Sequence, residues 1–401
     1  MPAETATAVP TAPVPPSGDP RRRIAIACQG GGSHTAFTAG VLAGLLADDE
    51  FWIHHRLVGL SGTSGGAVCA SLAWSGLHSG EIQVRANQQP VFTSDSKAAR
   101  EEAARRVMGF WSDLGSAWNP DQLLNQWSLW LSRLPVVSDY VPAAVSAYTR
   151  GRMEEQIGRY FIPPQHVTKD LLPRLYVGAV DICEGKRRIF RDGEVDVEAI
   201  IASAAVPPLY EPVLKKTGDR EAWYWDGLFA TNPPVSELVR GNEDIGYADK
   251  PDVLLVIRIN PTRKPTPPVL FRDKVDRRNE LAGNLALSQE LNAIEAINAI
   301  LEKTSRDSIK VDVERHDGPA VERVFKPVIV REVELDEAVG KFGGGRHIDL
   351  DLASKFSIAP GFIEDLVNVG LGQATQASLD LVAEKLKGDD GMAAEQMHGQ
   401  A

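Results

Sequence analysis

Three cysteines in 401 residues, Cys28, Cys69 and Cys183, are too few and too scattered for a disulfide framework or a C-x-x-C metal site. Their odd number fits a reducing compartment, where thiols stay free. Long apolar runs are also missing. Stretches such as Val253 to Ile257 fall far short of the roughly 20 residues that span a bilayer. There is no basic excess: 54 acidic residues stand against 43 basic ones, for a net charge of −11. That removes the broad basic face on which nonspecific nucleic-acid binding depends. The first 20 residues are rich in Pro, Ala and Thr and have no apolar signal core; Arg21, Arg22 and Arg23 lead only into the short run Ile24 to Cys28. The reading is a disordered tail and a cytoplasmic protein. No phosphate loop of the form Gly-x-x-x-x-Gly-Lys-Ser/Thr occurs, and no repeat of solenoid period.

What is present is a globular composition, 43% apolar and 24% charged, in a chain long enough for one large domain or two ordinary ones. Arg23 to Cys28 predicts a strand that ends in Gly30-Gly31-Gly32, and Phe37, Val41, Leu42, Leu45 and Leu46 mark one side of a helix over Thr35 to Ala47. A second strand, Leu57 to Ser61, runs into Gly62-Thr63-Ser64-Gly65-Gly66 and a small-residue helix, Ala67 to Trp74. Strand, glycine turn and helix, given twice, predict a parallel α/β sheet whose ligands sit beyond the carboxyl ends of the strands. Residues 80–160 change character: Ala98 to Met108 reads as a charged helix, followed by Trp111, Trp118, Trp127 and Trp130. Tryptophans packed on the core are favoured over a lipid-facing lid. Further strands are expected at Arg174 to Asp181, Lys186 to Phe190, Trp223 to Trp225, Val253 to Ile257 and Val328 to Val333. Helices are expected at Val195 to Ala205, along the face Leu287, Leu291, Ile294, Ile297 and Leu301, and at Gly361 to Lys385. The predicted fold is a three-layer α/β/α sandwich with a mostly parallel central sheet. It comprises residues 21–387 with the helical insertion at 80–160, between a tail at 1–20 and a flexible tail at 388–401.

Gly62 to Gly66 fits Gly-x-Ser-x-Gly. Between a strand and a helix, this turn exposes the serine hydroxyl at the sheet edge, which makes Ser64 the candidate nucleophile. The amides after it, Gly65 first, open a helix and suit negative charge. The consecutive amides of Gly30, Gly31 and Gly32 suit an oxyanion in the same way. A dinucleotide fingerprint fails, because Gly30-x-Gly32-x-x is followed by Thr35 and not by glycine. Of the eight histidines none sits in a convincing strand-end turn; His347 is the best of them as a base, and His54 and His55 read as solvated. Asp226 follows a strand and precedes Gly227. Alone it reads as an Asp-Gly turn; beside Ser64 it offers a carboxylate base whose pKa partial burial would raise.

These motifs in this order resemble the patatin-like phospholipase family. The likeness is reinforced by Ala202-Ser203 with Pro207, by Trp225-Asp226-Gly227-Leu228, and by Asn232-Pro233-Pro234, and it extends over about Ile24 to Leu386 with 80–160 poorly matched. It implies hydrolysis of the acyl esters of lipids, phospholipids among them, by a Ser64–Asp226 dyad through an acyl-enzyme, with Gly30 to Gly32 at the oxyanion hole and neither metal nor organic cofactor. The expected partner is a lipid or other acyl-ester substrate, with peripheral membrane contact and no nucleic acid; oligomeric state is left open. Alternatives are a thioesterase or polyester depolymerase with the same dyad, or an inactive lipid-binding scaffold. One departure stands out. The family pattern has Arg or Lys shortly after the triple glycine, whereas here Ser33-His34-Thr35 follows. With His34 largely neutral near pH 7, the expectation is a preference for less charged esters and a pH dependence reporting His34.

Overall fold

The computed structural model describes the chain outside residues 1–18, 80–94, 117–142, 165–171, 208–209, 241–249, 265, 316–317, 345–347, 349, 353 and 399–401. The amino-terminal alternation is as the glycine turns foretell: β1 (Arg22–Cys28), α1 (Ala36–Ala47), α2 (Asp49–His54), β2 (His55–Thr63) and α3 (Gly65–Leu77). Side chains of β1 alternate between two apolar clusters, with Ile24, Ile26 and Cys28 in one and Ala25 and Ala27 in the other. A strand buried on both faces needs apolar residues at every position, so its run is continuous.

Helix α2 was not foreseen. Asp48 caps it by accepting hydrogen bonds from the Glu50 and Phe51 amides at 2.9 and 3.2 Å, while Phe51 and Trp52 are buried. It also corrects the reading of His55, which is not solvated. The ring stacks on Phe51, its Nδ1 lies 3.2 Å from the Phe51 carbonyl, and burial lowers its pKa to about 4.

The chain continues through α4 (Lys97–Ser116), α5 (Ala143–Tyr160), β3 (Arg174–Asp181), β4 (Lys186–Arg191), α6 (Val197–Ser203), β5 (Val213–Thr217), β6 (Arg220–Asp226) and α7 (Ser236–Arg240). Then come β7 (Val253–Arg258), α8 (Phe271–Lys303), the hairpin of β8 (Ile309–Arg315) and β9 (Gly318–Phe325), β10 (Ile329–Glu334), α9 (Leu335–Phe342) and α10 (Pro360–His398). The main sheet has the order β10-β7-β1-β2-β3-β6-β5, with β4 also on β3. Strands β10, β7, β1, β2 and β3 are parallel; β4 and β6 run antiparallel to β3, and β5 to β6. One sheet face packs on residues of α1, α3, α4 and α10, such as Phe37, Leu72, Phe110 and Leu366. The other packs on Leu238 of α7 and Leu287, Leu291 and Ile294 of α8. The molecule is thus the expected three-layer α/β/α arrangement.

One of the expected core tryptophans is placed as foreseen, and the closing helix is longer than expected. Trp111 is buried in α4, donating its indole N–H to Cys69 Sγ at 3.3 Å, whereas Trp118, Trp127 and Trp130 lie outside the described residues. The closing helix does not stop near Lys385 but runs to His398. Helix formers such as Ala393, Ala394, Glu395 and Gln396 supply no stop signal, and Lys385 pairs with Asp389 one turn on at 2.6 Å.

Candidate active site

Ser64 and Asp226 meet because β2 and β6 run toward each other along one edge of β3. On β2, parallel to β3, Thr63 pairs with Gly178; on β6, antiparallel to it, Asp226 pairs with the next residue, Ala179. Strand β4 occupies the other edge of β3 over the same residues, which leaves β2 and β6 abutting end to end. The Thr63 hydroxyl closes the junction by donating to the Thr231 carbonyl at 2.8 Å.

Ser64 has φ 56° and ψ −132°, a conformation that a residue with a Cβ adopts only under constraint. The constraint is visible. Its amide donates to both the carbonyl and the hydroxyl oxygen of Ser203, at 3.2 and 3.0 Å, and the Ser203 hydroxyl donates to the Gly178 carbonyl at 2.6 Å. Ser203 therefore ties the serine turn to β3, which gives the Ala202-Ser203 segment a physical role. Helix α3 begins at the next residue and lies against the end of β1. At Gly66 a side chain would collide with the Cys28 carbonyl, so only glycine allows that approach.

Asp226 is fully buried, and its amide donates to the Ala205 carbonyl at 3.0 Å. Oδ1 accepts from the Leu228 amide at 2.8 Å, while Oδ2 has no hydrogen-bond partner among the described residues. Burial raises the pKa to about 7, against the opposing influence of the Ser64 hydroxyl and the Leu228 amide, both of which favour the charged form. The serine hydroxyl is thus close enough to act on this carboxyl electrostatically, although Oδ2 makes no well-formed hydrogen bond.

The glycine turn closes the group from the β1 side. A Cβ on Gly30 would lie 2.5 Å from the Thr63 carbonyl oxygen and 2.7 Å from the Ser64 Cβ, so the turn touches the candidate serine. The Gly30 amide, however, donates to Asn232 Oδ1 at 2.7 Å. It is therefore not available to an oxyanion as the sequence reading supposed, and the remaining candidate donors are Gly31, Gly32 and Gly65. Gly32 has φ 58° and rests against the Lys355 backbone. Behind it the Lys355 ammonium is held by Asp276 at 2.7 Å and Glu280 at 3.3 Å, and Lys264 reaches the same two carboxylates.

His34 is placed otherwise than its part in the sequence argument requires. It is 1% exposed, its Nε2 lies 2.7 Å from Ser354 Oγ, and its ring contacts Phe362. Burial, then the nearby Lys355 and Lys264 charges, hold its pKa well below 6.5. The imidazole stays neutral across the neutral range, so a titration there is not His34's. His347 lies outside the described residues.

The structure thus brings together a strained serine at a strand-to-helix turn, a buried carboxyl beside it and a glycine turn against the serine. The family model described as patatin-like phospholipase matches residues 26–239, more than half of the chain, and the chain belongs to that family. Its activity is accordingly that of a lipid acyl hydrolase in the general sense of the family. Among solved structures, VipD from Legionella pneumophila is similar at 12% identity and TM-score 0.33, over 90% of this chain and 67% of that one. No curated protein sequence matches. Among the described residues no helix is long and apolar enough to cross a membrane.

Proposed function

We propose that the chain hydrolyses carboxylic esters of lipids through an acyl-enzyme on Ser64, with Asp226 as the base. Ser64 Oγ attacks the ester carbonyl as its proton passes to Asp226 Oδ2. The Leu228 amide on Oδ1 fixes the carboxyl so that the unpartnered oxygen is the one that works. Charge developing on the carbonyl oxygen is met by the Gly31 and Gly32 amides and by Gly65 at the head of α3. As the intermediate collapses, Asp226 returns the proton to the departing alcohol. Water then attacks the acyl-enzyme with Asp226 again as base, releasing the acid and restoring Ser64.

The observation that carries this reading is the buried Asp226 with one unsatisfied oxygen and a pKa near 7, beside a serine held at positive φ. A base poised near the working pH is what proton transfer needs. Turnover of a p-nitrophenyl ester series tests it. The wild type should hydrolyse the esters, and Ser64→Ala and Asp226→Asn should each lose about a thousandfold or more in kcat while remaining folded. Full activity of Ser64→Ala would end this reading.

A further inference from the structure

Behind the glycine turn, four carboxamide side chains are buried together: Gln29, Asn232, Asn260 and Asn284, none more than 6% exposed. Such groups are costly to bury unless satisfied, and here they satisfy one another and the backbone. Gln29 Oε1 accepts from the Ile259 and Asn260 amides, both at 2.9 Å, and its Nε2 donates to Asn284 Oδ1 at 2.9 Å. Asn284, on α8, donates in turn to the Pro261 carbonyl at 3.1 Å and the Asn260 carbonyl at 3.5 Å. Asn260 Nδ2 completes the path by donating to the Gly30 carbonyl at 3.0 Å, with Asn232 Nδ2 adding a longer contact at 3.5 Å.

The consequence lies in peptide geometry. A trans peptide directs its N–H opposite to its C=O. Holding the Gly30 carbonyl on Asn260 therefore aims the Gly31 amide away from the asparagines and fixes the plane in which it can donate. The Gly30 amide is fixed separately on Asn232. The two peptide planes ahead of the turn are thus set by side chains from two places, Asn232 beyond the end of β6 and Asn260 beyond the end of β7, the latter backed by Asn284 of α8. Asn260 and Asn284 lie beyond residue 239, outside the stretch that the family model matches.

Resting on the reading of Ser64 as nucleophile, we infer that Asn260, backed by Gln29 and Asn284, is a positioning residue that pre-orients the Gly31 amide for the oxyanion. A network of this kind stabilises the transition state selectively, since a tetrahedral oxyanion uses the amide fully and a ground-state ester does not.

The test compares Asn260→Asp, Asn260→Leu and Gln29→Leu with wild type on a p-nitrophenyl ester. The same proteins are titrated with an alkyl boronic acid, which forms a tetrahedral adduct on the serine, and with the non-reactive ether analogue of the ester. The expected result is a loss of about tenfold or more in kcat, matched by a comparable weakening of the boronate, with ether affinity within about twofold of wild type. Asn260→Asp keeps the side-chain shape but puts a carboxylate oxygen in place of the donor, which repels the Gly30 carbonyl, so it serves if Asn260→Leu does not fold. Asn298→Leu breaks a comparable link elsewhere, the Asn298 bonds to Val328 at 2.8 and 3.0 Å, and should lower the melting temperature without touching kcat or boronate affinity. A folded Asn260→Asp with unchanged kcat and boronate affinity overturns the inference. So does a loss of kcat while boronate binding stays at wild-type strength. Wild type that neither turns over ester nor binds boronate would instead overturn the nucleophile reading, and this inference with it.

Discussion

Asp226, the proposed base, is buried at a cost in stability. In the unfolded chain it ionises near 3.8, in the fold near 7, because burial disfavours its charged form. Between those values unfolding releases a proton, so stability that is fully present below about pH 4 is lost as the pH rises to about 7. The penalty at pH 8 is on the order of 4 kcal/mol. Asp226→Asn should therefore be inactive yet more stable than wild type at pH 8, with the difference in denaturant midpoint vanishing toward pH 4. A variant no more stable at pH 8 would show that the carboxylate is better solvated than its burial implies. His34 behaves differently at the same scale. Enclosed against Ser354 and Phe362, it has no room for a longer cation, so His34→Arg should destabilise the fold and not merely retune substrate choice.

At the scale of elements, the proposed dyad depends on β2 and β6 abutting on β3 and on α6 delivering Ser203 to the Ser64 amide. Ser203→Ala removes the hydroxyl that joins the Ser64 amide to the Gly178 carbonyl, a loss of about 1–3 kcal/mol in the bracing of the turn. The expected outcome is a kcat reduced by about an order of magnitude or more, read in the ester assay beside a thermal melt. On the other side of the glycine turn, Lys355 neutralises Asp276 and Glu280, both almost inaccessible. Lys355→Met leaves those two carboxylates with Lys264 and the Arg277 contact to Glu280. Urea unfolding should show it about 3 kcal/mol less stable, the low end for breaking a buried pair. These long-range ties had no signature in the chain. The serine turn, the glycine turn and the Asp-Gly end of β6 could be read locally, because each motif is its own strand-end geometry. Lys355 and Asp276 are distant in sequence, and neither lies in a recognisable pattern.

For the molecule as a whole, the layered architecture was legible because strands such as β7 are apolar at every position from Val253 to Ile257 and helices such as α8 carry a 3.6-residue stripe. What escaped was pairing order. Nothing in the sequence distinguishes β3, with parallel and antiparallel neighbours on one edge, from an ordinary parallel strand, and that junction is what brings Ser64 to Asp226. The buried His55 escaped for a related reason: helix α2 is only one turn and a half long, too short to show a period. The carboxamides behind the turn were hidden because Asn and Gln read as loop residues until partners from three elements surround them.

The central claim is that Asp226 is the base for Ser64, and the rate of Ser64 labelling by a fluorophosphonate as a function of pH tests it most directly. Labelling of wild type should rise with pH through a single ionisation near 7, as the carboxyl loses its proton, and reach a plateau above it. In Asp226→Asn the rate should fall by orders of magnitude and lose that ionisation. A neutral-range ionisation that persists undiminished in Asp226→Asn would contradict the account and assign the base to another group.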